Sequence, residues 1–290
     1  MDIGVLLTPV LTGITLGMAY VVMAVGLTFI LGMLDIPNFA HGALYALGAY
    51  LTYTVMQVVP SFWVGLVVAP VLVAGVAMAS ELWGIRPLYA AGLYPQLLFT
   101  FALSLVIREL IILIWSPVGM SVIPPKLLAG AVDLGVTYYP TYRLFLIFFA
   151  GAIVLGVWLF LERTKYGAII RAGIENKEMV SALGINIHRL FTFVFGLGAG
   201  LAGLGGALIL PLRGTNPDMG LDILPTCFVV VVVGGMGNFP GAIVAGLLIG
   251  ISQSVIVYFL PQASMVSIFV VMAVVLLIRP QGLFGEEGRK

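Results

Sequence analysis

Residues 162–189 read ERTKYGAIIRAGIENKEMVSALGINIHR, and the sequence on both sides of this segment is strongly apolar. The segment carries eight charged residues, which are Glu162, Arg163, Lys165, Arg171, Glu175, Lys177, Glu178 and Arg189. Its pattern predicts one or two short helices, broken at Gly173 and ended by Gly184 as a C-cap. A charged, helix-compatible segment between lipid-compatible segments has to meet something outside the membrane.

The composition of the whole chain is that of a membrane protein. Hydrophobic residues make up 61% and charged residues 9% of the 290 residues, whereas soluble domains have roughly 45–50% and about 25%. Such a chain would expose large apolar surfaces to water, so the bilayer is its solvent. The net charge of +1 gives no argument for a nucleic-acid partner. We therefore predict a single transmembrane domain over residues 1–290, with residues 162–189 as a cytoplasmic loop within it.

Apolar segments recur along the chain at lengths that suit a hydrocarbon core of about 30 Å. They are residues 4–34, 39–57, 62–83, 93–115, 142–161, 190–210 and 241–260, with a shorter one at 266–278. Residues 224–235 are apolar and β-branched, but their length suits a half-helix or a short span better than a full crossing. We predict an all-α integral membrane protein, a polytopic helical bundle of about 8–9 spans with broken or half helices.

The distribution of basic residues predicts the orientation. The segment 162–189 carries five Lys or Arg residues, which places it in the cytoplasm. Residues 116–141 and 213–225 then face the outside. Counting the short segment 224–235 as a crossing returns the last basic residues to the cytoplasm, which favours nine crossings and an external N-terminus. These basic residues are Arg279, Arg289 and Lys290.

Two interruptions of the apolar pattern resemble each other: Asn38-Phe39-Ala40-His41-Gly42 and Asn238-Phe239-Pro240-Gly241. Asparagine is a good helix N-cap, and irregular backbone at membrane depth is tolerated where it is buried in protein or lines a cavity. Transporters often carry such breaks in both halves and aim the half-helix ends at the substrate. The alternative is a pair of ordinary helix starts.

If the breaks do border the substrate pathway, they supply its candidate residues. Tyr45 joins this set because it lies about two helical turns after Asn38 and shares its face. His41 either donates to the substrate or holds the broken backbone in place. The candidate pathway residues are Asn38, His41, Gly42, Tyr45, Asn238 and Gly241.

Sequence motifs for catalysis or metal binding are missing. The four lysines follow Pro, Thr, Asn and Arg, so no Gly-Lys-Ser/Thr phosphate loop exists. The two histidines form no local metal pair, and the single Cys227 excludes an intrachain disulfide and a cysteine-based metal cluster. We expect no enzymatic activity, no cofactor and no metal site.

Three charged residues lie inside or near the ends of predicted spans. Arg108 and Glu109 diverge by about 100° around a helix, so we expect poor pairing with each other and an ion pair between helices instead. A substrate contact is the alternative. Glu81 lies near the end of the third span, where we expect its carboxylate to snorkel to the membrane surface.

Four motifs are distributed over nearly the whole chain: IPNFAHGALYALGAYL from Ile36, RAGIENKEMVSALGINIHRL from Arg171, VVVGGMGNFPGAIVAG from Val231 and RPQGLFG from Arg279. In these motifs the chain closely resembles the permease subunits of branched-chain amino-acid ABC importers, the Liv type. The resemblance implies a heterodimer with a second permease subunit, two cytoplasmic ATP-binding subunits that hydrolyse ATP, and a periplasmic binding protein. It implies a bacterial inner-membrane location, and the short N-terminal lead resembles the subunit without a long extension.

The same resemblance assigns residues 162–189 as the loop that docks onto the ATPase. The residues it marks for coupling are Arg171, Glu175, Asn176, Glu178, Ala182, Gly184 and Ile185. Two other functions stay open at this point. One is an ABC permease for urea, short amides or sugars. The other is an ion-coupled secondary transporter, for which Glu109 would be the acidic residue inside a span.

Overall fold

The computed structural model describes residues 3–133, 135 and 137–285, and these residues are predominantly helical. The helices are α1 (Ile3–Leu34), α2 (Ala40–Val58), α3 (Phe62–Ser80), α4 (Leu93–Trp115), α5 (Thr141–Arg163), α6 (Lys165–Glu175), α7 (Lys177–Ala182), α8 (Ile187–Arg213), α9 (Met219–Gly234), α10 (Phe239–Phe259) and α11 (Ser264–Ile278). A π-helical turn at Glu81–Ile85 and a 3₁₀ helix at Arg86–Ala91 link α3 to α4. A small antiparallel hairpin, β1 (Ala131–Asp133) and β2 (Tyr138–Pro140), pairs Ala131 with Pro140 before α5.

Six of these helices are long and apolar enough to cross a membrane, and this confirms the prediction of an all-α polytopic membrane protein. They are α1, α3 with its extension, α4, α5, α8 and α10. The helices α9 and α11 are apolar but shorter. The helix α9 has 16 residues and begins five positions before the predicted short segment. The sequence did not predict its first two turns because Asp222 and Pro225 interrupt the apolar pattern there.

Small residues hold the centre of the bundle together. In α1 and α8, 89% and 83% of the most apolar window is buried. Gly26 of α1 faces Gly198 of α8, and Gly48 of α2 faces Gly203 of α8, so closely that a Cβ atom on any of the four would collide with its neighbours. Helices in lipid gain little from apolar burial against each other, so close backbone approach and van der Waals contact stabilise this core instead.

The bundle has two ends that can be told apart by their contacts. At the loop end, Lys177 of α7 pairs with Asp35 after α1, and Leu283 N–H donates to Val233 O over 2.7 Å. At the far end, Ser254 Oγ of α10 donates to Pro9 O of α1 over 2.7 Å. The helix α1 therefore starts at the far end while α11 finishes at the loop end, as an odd number of crossings requires. The count of nine and the side of the cytoplasm stay predictions, and Arg289 and Lys290 lie outside the described residues.

The expectation that Glu81 snorkels to the surface was wrong, because its carboxylate is fully buried. Arg86 forms an ion pair with it at 3.1 Å, and Tyr89 OH and Thr192 Oγ1 donate to it over 2.7 and 2.6 Å. A buried carboxylate is tolerated when donors satisfy its oxygens in place.

The expectation of an ion pair between helices was correct for Arg108. Its Nε lies 2.6 Å from Asp218 Oδ1, at the start of α9. The expectation that Arg108 and Glu109 pair poorly was wrong, since Nη1 also lies 2.5 Å from Glu109 Oε1. A long arginine side chain presents several donors and bends back to its neighbour.

Candidate functional site

The charged loop folds as two short helices, and we call α6 and α7 with their flanking residues 162–189 the coupling hairpin. A side chain caps the start of α6, of α7 and of α8, which follows the hairpin. Thr164 Oγ1 accepts from Gly167 N–H over 3.0 Å, Asn176 Oδ1 accepts from Met179 N–H over 2.9 Å, and Asn186 Oδ1 accepts from Arg189 N–H over 3.1 Å. These caps satisfy backbone donors that the first turns leave free.

The sequence located one helix end of the hairpin correctly and one wrongly. Gly184 has a φ of 82°, so the prediction of a left-handed C-cap is confirmed. The break between the helices falls at Asn176, not at Gly173. Gly173 lies inside α6, where the side chain of Met33 occupies the space that a Cβ atom would need. A glycine that permits close packing looks the same in sequence as one that ends a helix.

One face of the coupling hairpin is fixed to the bundle. Ile170 and Val180 are 1% and 2% exposed, and Gly173 packs on α1 at Met33. Arg171, a predicted coupling residue, belongs to this anchored side, since it pairs with Glu162 at 3.3 Å and donates to Leu161 O. It braces the corner between α5 and α6.

The other predicted coupling residues lie on or near the outer surface of the hairpin. Ile185 is partly buried, and the remaining five are exposed: Glu175, Asn176, Glu178, Ala182 and Gly184. Five of the seven predicted coupling residues are therefore accessible to a partner, whereas Arg171 belongs to the anchored side.

Two exposed apolar residues of the coupling hairpin are not among the residues that the resemblance marks for coupling. Met179 is 63% exposed and Leu183 is 75% exposed, although buried Val180 lies between them in sequence. Leu183 directly follows α7, and its N–H donates to Met179 O over 3.1 Å, so the spacing of four residues places both side chains on one face. This spacing was the signal available in the sequence. An apolar centre with a charged rim is typical of a surface that binds another protein.

The first helix break lies deep inside the described chain. Asn38 and His41 are fully buried, and Tyr45 is 6% exposed. Phe39 directly precedes α2, but its side chain makes no capping hydrogen bond. The cap comes from Asn38, whose Oδ1 accepts a hydrogen bond from Ala40 N–H over 3.0 Å. His41 Nε2 lies 3.0 Å from Met23 O of α1. This contact favours the second of the two roles considered for His41, which is to hold the broken backbone.

The second break is capped as predicted. Asn238 Oδ1 accepts from Gly241 N–H over 2.8 Å, and its Nδ2 donates to Phe284 O over 2.9 Å. Gly241 lies against the backbone of Gly234. The glycine of the first break, Gly42, packs in the same way against the backbone of Gly220 in α9.

The two breaks flank α1 without meeting. His41 reaches α1 at Met23, while Gly237 of the second break packs beside Gly32, about 14 Å farther along at 1.5 Å per residue. Two concave regions are bordered by the described residues. One is an apolar groove of about 310 Å³ between α5 and α10, and the other is a polar pocket of about 110 Å³ at the far end. The lining of neither includes a candidate pathway residue, so the pathway role of these six residues stays a prediction.

Comparison with known proteins adds an independent finding. The model of a family described as "Branched-chain amino acid transport system / permease component" matches residues 10–278. The chain is 28% identical to the high-affinity branched-chain amino acid transport system permease protein BraD of Pseudomonas aeruginosa, over 97% of this chain and 96% of that protein. It is also 28% identical to the LivH permease protein of Escherichia coli K12, over 94% of each. The LivM permease protein of the same organism is 26% identical, over 93% of this chain but 68% of LivM. No solved structure matches the chain.

Proposed function

We propose, on the premise that this chain belongs to the family of branched-chain amino-acid transport permease components, that it is a membrane-spanning subunit of an ABC importer. Its cargo is a branched-chain amino acid, as the names of its relatives state for those proteins. The chain is a transport component and not an enzyme. Six long apolar helices supply the membrane part of such a subunit.

The outer surface of the coupling hairpin is the observation that carries this proposal. Exposed Met179 and Leu183 lie among exposed charged residues, while Ile170 and Val180 anchor the hairpin from behind. We infer that this surface docks onto a cytoplasmic ATP-binding subunit, with Glu175, Asn176, Glu178, Ala182, Gly184 and Ile185 in or beside the contact. Because the hairpin is packed on α1 at Met33, a push on it reaches the bundle as a rigid-body movement.

We propose four protein partners: a second permease subunit, two ATP-binding subunits and a periplasmic binding protein. Support for the second permease comes from two related permease proteins in one organism, LivH and LivM of Escherichia coli. The chain spans 94% of LivH and 68% of LivM, which favours a LivH-like subunit paired with a longer one. The location that fits this set is the inner membrane of a bacterium.

We also propose that the two helix breaks border the substrate path. Free N–H groups at a helix start favour a carboxylate, and the breaks supply two such starts on α2 and α10. Asn38 and His41 are fully buried in the single chain, so they would meet the substrate only after α1 and α2 separate during the transport cycle.

The docking surface is tested by the double variant Met179→Glu/Leu183→Glu. Both side chains are exposed, so the variant permease should still fold. Charges in the apolar centre of an interface should lower the yield of co-purified ATP-binding subunit at least tenfold. The matched control is Ile123→Glu, which changes a side chain that is 84% exposed in the loop after α4. Wild-type yield from the double variant, or an equal loss from the control, would contradict the proposal.

A further inference from the structure

The polar pocket at the far end of the bundle combines two cations with an apolar wall. It has a volume of about 110 Å³ and opens between α1, α5 and α8. Its lining residues are Thr12, Thr15, Leu16, Arg143, Leu212 and Arg213. A pocket of this size holds a few non-hydrogen atoms, which suits one polar group of a small ligand and part of its side chain.

Neither pocket arginine has a carboxylate partner among residues 3–133, 135 and 137–285. By contrast, Arg86, Arg108 and Arg171 each pair with an acidic side chain at 3.3 Å or less. Two guanidinium groups lining one pocket repel each other. An arrangement of this kind is stabilised when an anion lies between the two charges.

The side chain of Arg143 is held in position rather than left to move freely. Its Nη1 donates to Thr12 Oγ1 over 3.0 Å, and its guanidinium carbon lies 5.9 Å from the centre of the Tyr139 ring. Tyr139 in turn shares a hydrogen bond of 2.7 Å with Thr15. These contacts orient the guanidinium but do not neutralise its charge, so its remaining donors are available to a ligand.

Arg213, the last residue of α8, lines the pocket and is exposed. The next polar side chain along α1 after the pocket residue Leu16 is the buried Tyr20. Tyr20 OH donates to Gln253 Oε1 of α10 over 2.8 Å. The polar pair of Tyr20 and Gln253 therefore lies about one helical turn beyond the pocket along α1.

We propose that Arg143 and Arg213 form a carboxylate-binding site that receives the incoming amino acid at the far end of the permease. The planar guanidinium groups match a carboxylate in geometry and charge, while Leu16 and Leu212 contact the aliphatic side chain. This inference rests on the proposed function, because that function places the far end outside the cell and supplies an amino acid there. The phosphate of an anionic lipid carries the same kind of charge, and the experiment separates the two sources.

The test uses the permease pair with its ATP-binding subunits, without the periplasmic binding protein, in nanodiscs of phosphatidylcholine and measures binding of radiolabelled L-leucine. Wild-type protein should bind leucine saturably, and leucinol, which lacks the carboxylate, should fail to compete. Arg143→Gln and Arg213→Gln should each weaken binding about 10- to 100-fold, the range for a hydrogen bond to a charged group. Arg213→Lys keeps the positive charge and replaces the glutamine variant if that variant does not fold. It should weaken binding less than Arg213→Gln, because it loses only the bidentate geometry of the guanidinium group.

The control Lys126→Gln removes a positive charge from the loop after α4 without touching the pocket, and it should bind leucine as wild type does. Equal binding by all variants would overturn the site. Leucine binding that disappears when phosphatidylglycerol is added would instead assign the pocket to a lipid headgroup. Uptake is measured separately in proteoliposomes that contain the complete transporter with its binding protein, and a wild-type transporter that takes up no leucine there would contradict the proposed function itself. Normal uptake with unchanged binding in the arginine variants would reject only this site.

Discussion

Lys177, the first residue of α7, forms an ion pair with Asp35, the residue that follows α1. Asp35 has a φ of 58°, in the left-handed region, where the chain turns from α1 toward the first helix break. The pair therefore joins the coupling hairpin to the start of the segment that leads into α2. The two side chains are 34% and 74% exposed, so we expect it to add less than about 1 kcal/mol to stability. Its effect should appear in coupling and not in folding.

Removing either charge should weaken the contact between the coupling hairpin and the end of α1. Asp35→Asn keeps a residue that tolerates a positive φ, and Lys177→Gln removes the cation. Each should lower the ratio of substrate-stimulated to basal ATPase activity of the transporter about two- to fivefold, and the double variant should be no worse than either single one. Lys165→Gln, on the exposed side of α6, is the control and should leave the ratio unchanged. Additive losses in the double variant would show that the two residues act separately.

The C-cap of α7 should be intolerant of most side chains for a conformational reason. A Cβ atom at Gly184 would meet nothing within 4 Å, but φ there is 82°. Gly184→Val should therefore cost about 1–2 kcal/mol through strain alone and distort the end of the docking surface. Gly184→Asn should be close to wild type, since asparagine visits this conformation. The measurement is the yield of co-purified ATP-binding subunit, and equal yields for valine and asparagine would rule out a role for the cap.

The class of fold and the position of the charged helical hairpin could be predicted from the sequence, because both follow from composition. Apolar length marked the spans, and a cluster of charges marked the coupling hairpin. The sequence did not predict the buried ion pair of Glu81 with Arg86, because the partners meet through a π-helical turn that no residue pattern announces. The sequence also did not single out Met179 and Leu183. Apolar residues are so frequent in this chain that composition does not show which of them are exposed. The pocket at Arg143 and Arg213 joins residues far apart in sequence, so it required the fold.

Glycine contacts at the first helix break determine what a substitution there should do. Gly42 packs against the backbone of Gly220, whereas Gly156 in α5 has open space around its Cβ position. Gly42→Val should prevent normal folding, since backbone cannot retreat as a flexible side chain can. Gly156→Val, the same change in an open position, should be tolerated. Fluorescence-detected size-exclusion chromatography of the two variants compares them directly, and a monodisperse Gly42→Val protein would contradict the packing account.

The orientation predicted from the basic residues is tested by thiol labelling. Cys227 is 2% exposed and should stay unreactive, so single cysteines can be introduced into the native chain. Lys126→Cys should react with a membrane-impermeant maleimide applied from the outside. Lys177→Cys should react only after the membrane is permeabilised. The opposite pattern would invert the topology and place the pocket of Arg143 and Arg213 in the cytoplasm.

Site-specific photo-crosslinking in cells shows whether the outer surface of the coupling hairpin contacts the ATP-binding subunit. A photoreactive amino acid at position 183 replaces a side chain that is 75% exposed. On irradiation it should form one adduct with the mass of the permease plus an ATP-binding subunit. The same residue at position 126, in the loop after α4, should form none. An adduct of equal yield at both positions, or none at position 183, would contradict the account.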